Sequence, residues 1–253
     1  MPKVEKYEPG MFCWIELATN DAAAAKTFYS TLFGWTANEM PIPDGSVYTM
    51  FQKSGGDLGA MYQSKDIPPR WASYIAVANV DDAATKAAGL GATVVAPPFD
   101  VMDVGRMAVV TDPQGATFCL WEARQHIGAT IRDEANTLCW NELMTSDVVA
   151  ARDFYKSLFS WSLELSPQYT EVHVGPVPVG GMMQLTGDMQ GIPSNWTPYF
   201  AVDDCDAMTE KAKSLGGQVY VPPTDIPNVG RFSVIADPQG ASFNLIKMGP
   251  HTS

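Results

Sequence analysis

The stretch CWIELATNDAAAAKTFYSTLFGW, residues 13–35, decides the fold, because it returns as CWNELMTSDVVAARDFYKSLFSW at residues 139–161. A second pair lies further along: DVGRMAVVTDPQGATFCL at 103–120 returns as NVGRFSVIADPQGASFNL at 228–245. Copies this long exceed the roughly 20 to 50 residue period of a solenoid, so the repeat predicts a duplicated module. We expect module 1 at residues 8–125, a linker at 126–136 and module 2 at 137–249.

Each copy has the same predicted order of strands and helices. An alternating strand runs into Asp21 or Asp147, which are of a residue type that caps helix N-termini. The apolar residues Ala25, Phe28 and Leu32 then have the spacing of one buried helix face. Short strands with glycine turns follow, and a further strand, helix and three strands complete the copy. The predicted plan is βαβββ twice in each module and four times in the chain, which places the protein in the α+β class.

Composition and charge limit the possible partners. The chain has 253 residues, with 16 Lys and Arg against 28 Asp and Glu, a formal net charge of −12. Nucleic-acid binding depends on clustered Lys and Arg, so we expect no nucleic-acid partner, and neutral or cationic small molecules fit better.

Location and cysteine usage follow from simple patterns. No apolar run approaches the roughly 18 residues of a membrane span, and the first residues lack a signal-peptide pattern, which predicts a cytoplasmic protein with no membrane partner. The four cysteines form no CxxC pair, so neither a disulfide framework nor a zinc ribbon is indicated.

Two motifs identify a family resemblance. F-Y-x-x-L-F-x-W after the first capped helix and D-P-x-G before the last strand are both present in duplicate. Together they resemble the glyoxalase, bleomycin-resistance and extradiol-dioxygenase superfamily, also called vicinal oxygen chelate proteins, over residues 11–248. The resemblance implies two curved mixed sheets with helices outside, each enclosing a cavity and related by a pseudo-twofold axis.

The resemblance also implies where a metal would be held. The metal-using members place His, Gln or Glu on the first strand of a module, His on the fifth strand and Glu on the last. The corresponding residues in this chain are Trp14, Ala72 and Cys119 in module 1 and Trp140, Thr197 and Asn244 in module 2. These residues lack the His and carboxylate ligands that Fe(II) or Zn(II) needs, so we expect no metal and no other cofactor.

Two glutamates remain as candidate catalytic residues. Glu16 and Glu142 stand two residues beyond Trp14 and Trp140, so each Glu shares a strand face with its Trp. Alternation predicts that this face, which includes Phe12, lines the cavity. Burial there should raise the pKa of at least one carboxyl group, as a general base requires. Alternatively, each Glu is a structural partner of Arg106 or Arg231.

Other residues are candidates for contacting a ligand. Arg106 and Arg231 follow Gly at the mouth of a strand, where they could anchor a ligand oxygen or form structural salt bridges. Trp71 and Trp196 recur before the fifth strand of each module, where aromatic rings could stack on a planar ligand or fill the core. The further predicted ligand-binding residues are Tyr48, Cys119, Tyr169, His173, Thr197 and Asn244.

Three functions are consistent with these residues. The first is a protein that binds a small organic molecule, cationic or planar, in an acidic, aromatic-lined cavity without a metal. The second is a metal-independent enzyme of the hydroxylase, lyase or isomerase type, with Glu16 or Glu142 as general base toward a carbonyl-bearing metabolite. The third is an interaction or signalling module with filled cavities. The expected assembly is a monomer or a homodimer.

Overall fold

The computed structural model describes residues 3–42 and 45–249, which form two eight-stranded sheets and four α-helices. Module 1 consists of β1 (Phe12–Thr19), α1 (Ala22–Phe33), β2 (Thr36–Pro41), β3 (Val47–Lys53), β4 (Gly56–Gln63), β5 (Arg70–Ala76), α2 (Val80–Gly89), β6 (Thr93–Val101), β7 (Gly105–Thr111) and β8 (Thr117–Ala123). The sheet order is β2-β3-β4-β1-β5-β8-β7-β6, and the pairs β1/β4 and β5/β8 are parallel. The sheet is therefore mixed.

Module 2 repeats this order. It consists of β9 (Leu138–Thr145), α3 (Val148–Phe159), β10 (Ser162–Leu165), β11 (Thr170–Val174), β12 (Val177–Gln184), β13 (Asn195–Ala201), α4 (Cys205–Ser214), β14 (Gln218–Ile226), β15 (Gly230–Ala236) and β16 (Ser242–Met248), with a short 3₁₀ turn at Gly187–Met189. Its sheet order is β10-β11-β12-β9-β13-β16-β15-β14. The predicted α+β class and the fourfold βαβββ plan are confirmed.

Local sequence sets the ends of the first helix in each module. The Asp21 carboxylate accepts a hydrogen bond from the Ala24 amide, and the Asp147 carboxylate accepts one from the Ala150 amide, both at 3.0 Å. Helix α1 ends at Gly34, whose φ of 73° is a left-handed conformation that glycine adopts without a steric penalty. The described helices include none that is long and apolar enough to cross a membrane.

The apolar faces of α1 and α3 join the modules. Residues of α1 share one core cluster with β13, β16 and α4 of module 2, and residues of α3 share another with β5, β8 and α2 of module 1. Two buried hydrogen bonds cross between the modules at equivalent places. The Tyr29 hydroxyl donates to the Asp237 carboxylate at 3.0 Å, and the Tyr155 hydroxyl donates to Asp112 at 2.9 Å. These two equivalent contacts agree with the pseudo-twofold relation between the modules that the resemblance implied.

A β-bulge at the start of β1 changes which side chains face the cavity. Phe12 pairs with Ile75 and Trp14 with Tyr74, so Cys13 is the extra residue. An extra residue reverses the alternation of faces, and the prediction that Phe12 lines the cavity is wrong. Its ring instead packs against Trp196 of module 2, at a centroid distance of 4.9 Å.

Candidate functional site

A half-buried glutamate, Glu16, is held by two tyrosines on the face of the module 1 sheet opposite the helices, which we call the concave face. The Tyr48 hydroxyl donates to Glu16 Oε1 at 2.6 Å and the Tyr74 hydroxyl donates to Oε2 at 2.7 Å. Trp14 pairs with Tyr74 across the strands, and its indole lies close to Tyr48. We call these four residues quartet 1. The carboxyl group is thus fixed from both sides by neutral donors.

Module 2 carries the equivalent arrangement. The Tyr199 hydroxyl donates to Glu142 Oε1 at 2.8 Å, and the Trp140 indole donates to the Tyr169 hydroxyl at 2.9 Å. Burial raises the pKa of Glu142, and the nearby Tyr169 hydroxyl offsets part of that rise. We call these four residues quartet 2. Gly181 lies opposite Glu142 in the sheet and makes room for the Tyr169 ring. A Cβ atom at this position would collide with that ring.

Burial governs the electrostatics of both quartets. It raises the pKa of Glu16 and of Glu142, and the tyrosine hydrogen bonds offset part of that effect. The expected rise in pKa is therefore confirmed. Within the described part of the chain, neither carboxylate forms an ion pair. A carboxyl group in this setting can exchange a proton closer to neutral pH than an exposed Glu, which is the property of a general acid or base.

The two predicted arginine anchors lie away from the quartets. Arg106 makes a forked pair with Asp81, at 2.9 and 3.0 Å, and also bonds Asp100. Arg231 pairs in the same way with Asp206 at the start of α4. These guanidinium groups tie a strand to the first turn of a helix. Both arginines therefore form structural salt bridges, as one of the two interpretations predicted. The alternative prediction that Arg106 and Arg231 are the partners of Glu16 and Glu142 is wrong.

Trp71 and Trp196 lie on the opposite side of the sheets from the quartets. Trp71 pairs with Leu17, and its indole donates to the Tyr29 hydroxyl at 3.0 Å in the core between the modules. Trp196 makes the matching bond to Tyr155 at 2.8 Å. Their expected role in stacking a ligand is not supported, because both rings are buried in the module interface.

Tyr74 and Tyr199 recur in the two copies but were not among the predicted site residues. Each stands three residues after a tryptophan on the same strand, and side chains separated by an odd number of residues point to opposite faces. Since Trp71 faces the helices, Tyr74 shares the opposite face with Glu16. Strand alternation alone could have found both tyrosines.

The remaining predicted residues lie on the concave faces. Cys119 pairs with Tyr74, and burial raises the pKa of its thiol to about 12, so it is not a ready nucleophile. Asn244 pairs with Tyr199; it is 3% exposed, and its Oδ1 has no hydrogen-bond partner among the described residues. Thr197 pairs with Glu142.

His173 belongs to a separate group on β10 and β11. Its Nε2 lies 2.9 Å from a Glu171 carboxylate oxygen and 3.9 Å from a Glu164 oxygen. Ligand atoms of these three residues lie within 4.8 Å of one another, as binding a metal ion would require. The group shares the concave face of Glu142, because Glu164, Glu171, Gly181 and Glu142 occupy one register row.

The family's metal positions do not fit a divalent ion in this chain. Ligands on the first, fifth and last strands must lie side by side, and in module 1 the residues that do so are Trp14, Tyr74 and Cys119. The fifth-strand positions are thus Tyr74 and, by the same register in module 2, Tyr199 between Trp140 and Asn244. The sequence-based choices of Ala72 and Thr197 are wrong because these residues lie one row away, opposite Glu16 and Glu142. Neither the indole nor this buried thiol is a suitable donor at neutral pH.

The two quartets differ in how they are covered. The His126 ring contacts Trp14 edge to face at 4.6 Å, and the Ala129 amide donates to the Cys13 carbonyl at 2.8 Å. Trp14 is 3% exposed beneath this cover, whereas Trp140 is half-buried. In module 1 the linker therefore closes the tryptophan end of the concave face.

One surface cleft of the protein lies away from both quartets. A cleft of about 520 Å³ lies between α1 and the outer strands of module 1, lined by Lys26, Glu39 and Lys65 among others. It is on the helix side of the sheet and includes no quartet residue. We place the candidate site at the quartets instead, because that is where buried polar groups converge.

Comparison with known proteins agrees with the fold. Residues 14–121 match the family described as "Glyoxalase-like domain", and residues 137–245 match "Glyoxalase/Bleomycin resistance protein/Dioxygenase superfamily". A Mycobacterium bovis protein named "Putative glyoxylase CFP32" is 42% identical over 261 residues, covering 99% of both chains. The anthracycline biosynthesis protein DnrV of Streptomyces peucetius is 33% identical, covering 96% of this chain and 95% of DnrV.

Solved structures share the architecture at low sequence identity. The Mn(II)-bound glyoxalase of Novosphingobium aromaticivorans has a TM-score of 0.66 at 14% identity, covering 94% of this chain and 82% of that one. An extradiol ring-cleaving dioxygenase from B. fuscum has a TM-score of 0.68 at 15% identity, covering 100% and 76%. The chain belongs to the glyoxalase, bleomycin-resistance protein and dioxygenase superfamily, with two of its modules in tandem.

Proposed function

We propose that the protein binds a small organic molecule on the concave face of module 2, at quartet 2, without a metal at the family's ligand positions. The observation that carries the proposal is Asn244. Its amide oxygen is buried without a partner beside Tyr199, and an unpaired buried acceptor costs roughly 1–3 kcal/mol unless a ligand or water satisfies it. A hydrogen-bond donor on a ligand would remove that cost.

Charge and shape favour a planar, positively charged ligand. The row Glu164–Glu171–Gly181–Glu142 brings three carboxyl groups to one face, with His173 as the neighbouring partly buried base. The half-buried rings of Trp140 and Tyr169 border the same row. Aromatic faces next to carboxylates are the chemistry that recognises organic ammonium groups.

A titration with matched probes tests this proposal. Isothermal titration calorimetry would compare 2-naphthylmethylamine with the neutral 2-naphthylmethanol. We expect the amine to bind more tightly, and Glu171→Gln to weaken it by about fivefold, as for a partly exposed ion pair. Glu210→Gln is the control, because Glu210 is exposed on α4, on the other side of the sheet. Equal affinity of both probes, or equal effects of both variants, would reject the proposal.

A metal-independent enzyme is the second candidate function. The raised pKa of Glu142 favours it, because a general base that acts near neutral pH needs such a shift. The substrate would be a carbonyl-bearing metabolite, and the reaction would be of the hydroxylase, lyase or isomerase type. The name of one relative, an anthracycline biosynthesis protein, is in keeping with a biosynthetic substrate.

The third candidate, an interaction module with filled cavities, is favoured only at the tryptophan end of module 1. There Trp14, Tyr74 and Cys119 pack with Trp121 and Ala129 in one apolar cluster.

Elemental analysis tests metal independence. We expect no stoichiometric Zn, Fe, Ni or Mn in the purified protein. A metal that is lost in Glu171→Gln but kept in Glu142→Gln would place it at the His173 group, away from the family's positions.

A further inference from the structure

Module 1 carries an arginine whose charge has no partner among the residues that the structure describes. Of the six arginines in the chain, Arg70 is the one with no hydrogen bond or ion pair to any residue of 3–42 and 45–249. The other five bind carboxylates, a hydroxyl or a backbone carbonyl. An unpaired guanidinium beside polar aromatic groups is available to a ligand.

Strand register places Arg70 on the concave face. It is the first residue of β5 and pairs with Ala18, which pairs in turn with Tyr62 on β4. Tyr62 pairs with Tyr48 on β3, so one register row crosses four strands and contains Arg70, Tyr62 and Tyr48. Paired residues point to the same face, and Tyr48 belongs to quartet 1. Arg70 therefore stands at the edge of the same face.

The Arg70 side chain is exposed at this edge of the face. Burial raises the pKa of the Cys119 thiol and of the Tyr62 hydroxyl, and the charge of Arg70 offsets a small part of each rise. Cys119 pairs with Tyr74, four residues along β5 from Arg70, which is a separation of about 13 Å along the backbone. The charge of Arg70 therefore acts on groups of this face.

This end of module 1 is open where the other end is closed. Glu16, Tyr48 and Tyr62 are all only partly buried, in contrast to Trp14 and Tyr74 beneath the linker. Both oxygens of Glu16 accept hydrogen bonds from tyrosines, and Glu16 forms no ion pair with Arg70. The positive charge at this edge thus has no carboxylate partner within residues 3–42 and 45–249.

We propose that the concave face of module 1 binds a planar organic anion, with Arg70 pairing with its carboxylate and Tyr48 and Tyr62 contacting its ring system. Guanidinium and carboxylate match as a two-point hydrogen-bonded pair, and a tyrosine ring offers a flat apolar face to a planar body. This site goes beyond the function proposed for module 2, because it selects the opposite charge. In module 2 the register position of Arg70 is held by Asn195, whose amide already bonds Thr197 and Pro193.

Calorimetric titration with 2-naphthoate tests the proposal. We expect 2-naphthoate to bind the wild-type protein and Arg70→Gln to weaken it by about tenfold or more, the effect of losing a charge-assisted pair. Lys65→Gln is the matched control: Lys65 lies five residues away, carries the same charge and lines the cleft on the helix side. We expect its effect to stay within about twofold.

A second readout locates the bound molecule. Backbone amide shifts should change along β3, β4 and β5 when 2-naphthoate is added, and should leave β11 and β12 unchanged. Absence of binding at millimolar concentration, shifts confined to module 2, or equal losses in the two variants would each overturn the proposal. The amine titration of module 2 uses a different probe and variant, so either site can fail while the other stands.

Discussion

The concave faces of modules 1 and 2 share a quartet and differ in the residues around it. The row that contains the glutamate continues to Met50 in module 1 and to Glu171 in module 2. The next row ends at Arg70 in one and Asn195 in the other. The same fold thus places two equivalent carboxyl groups, Glu16 and Glu142, in surroundings of opposite charge.

The difference between the two faces distinguishes residues with a structural role from residues that could select a ligand. A buried carboxyl group must keep its hydrogen-bond donors, so the tyrosines are needed in both modules whether or not a ligand binds. Positions at the rim, by which we mean the edge of each concave face with Arg70 in module 1 and Asn195 in module 2, carry no such requirement. The two faces differ at these positions. The chemistry that distinguishes one module from the other therefore belongs to the rim, and the quartet supplies a common proton-exchanging group.

The largest expected effect concerns the glutamates. If module 2 catalyses a reaction with Glu142 as base, Glu142→Gln should lower turnover by about 100-fold or more, because the amide keeps the shape but takes no proton. Glu16→Gln is the matched control and should leave turnover nearly unchanged. Steady-state rates of both variants, measured with the same carbonyl substrate, give the comparison.

The opposite result is equally informative. Equal losses in the two variants would show that the modules do not differ in function. A variant that loses several kcal/mol of stability without a selective loss of activity or binding would identify its glutamate as a structural residue.

The second prediction exchanges the small residues beneath the tyrosines. Gly181 in module 2 and Ala60 in module 1 hold the same register position. Gly181→Ala should push Tyr169 away from Glu142, lower the free energy of unfolding by roughly 1–3 kcal/mol and abolish the preference for 2-naphthylmethylamine. Ala60→Gly should cost only about 1 kcal/mol, from backbone freedom and one lost methyl group. Chemical denaturation and calorimetry measure both, and an unaffected Gly181→Ala protein would contradict the prediction.

The repeat made the fold predictable. Helix caps, helix periodicity and the D-P-Q-G turn all recur in both copies, so each assignment was supported twice, as at Asp21 and Asp147. The bulge at Cys13 was not predictable, because an extra residue in a strand leaves no mark in the hydrophobic pattern of so short a segment. That bulge is what moves Phe12 from the cavity to the module interface.

The candidate site was predictable in part. Counting from the capping Asp located Glu16 and Glu142, and alternation placed each beside its tryptophan. Which partner a buried Glu takes depends on residues far apart in sequence, so the sequence suggested Arg106 where the structure has Tyr48 and Tyr74. Arg70 gave no sequence signal, since the absence of a partner is a property of the folded chain.

The third prediction concerns pH. The pKa of Glu142 is raised on folding, so the folded protein binds more protons than the unfolded chain at pH values above the ordinary value of 4.5. Raising the pH through that range should therefore lower the free energy of unfolding, and Glu16 acts in the same direction. Glu142→Gln and Glu16→Gln should each flatten the decline, and Glu210→Gln should not. Urea unfolding at a series of pH values gives the slopes, and a steeper decline in either quartet variant would contradict the assignment.

The smallest expected effect tests the cover over quartet 1. His126 packs edge to face on Trp14 at 4.6 Å and lies 6.0 Å from Trp121. His126→Ala removes that ring and should cost about 1 kcal/mol of stability, the size of one aromatic contact. It should also admit water to Trp14, which shifts tryptophan emission to the red and increases quenching by iodide. A Trp140→Phe background removes the half-buried tryptophan of module 2, so that the change reports module 1. The same background with His126 intact is the control. If His126→Ala leaves emission and quenching unchanged, the linker does not close module 1, and the contrast between the two faces rests on their rim residues alone.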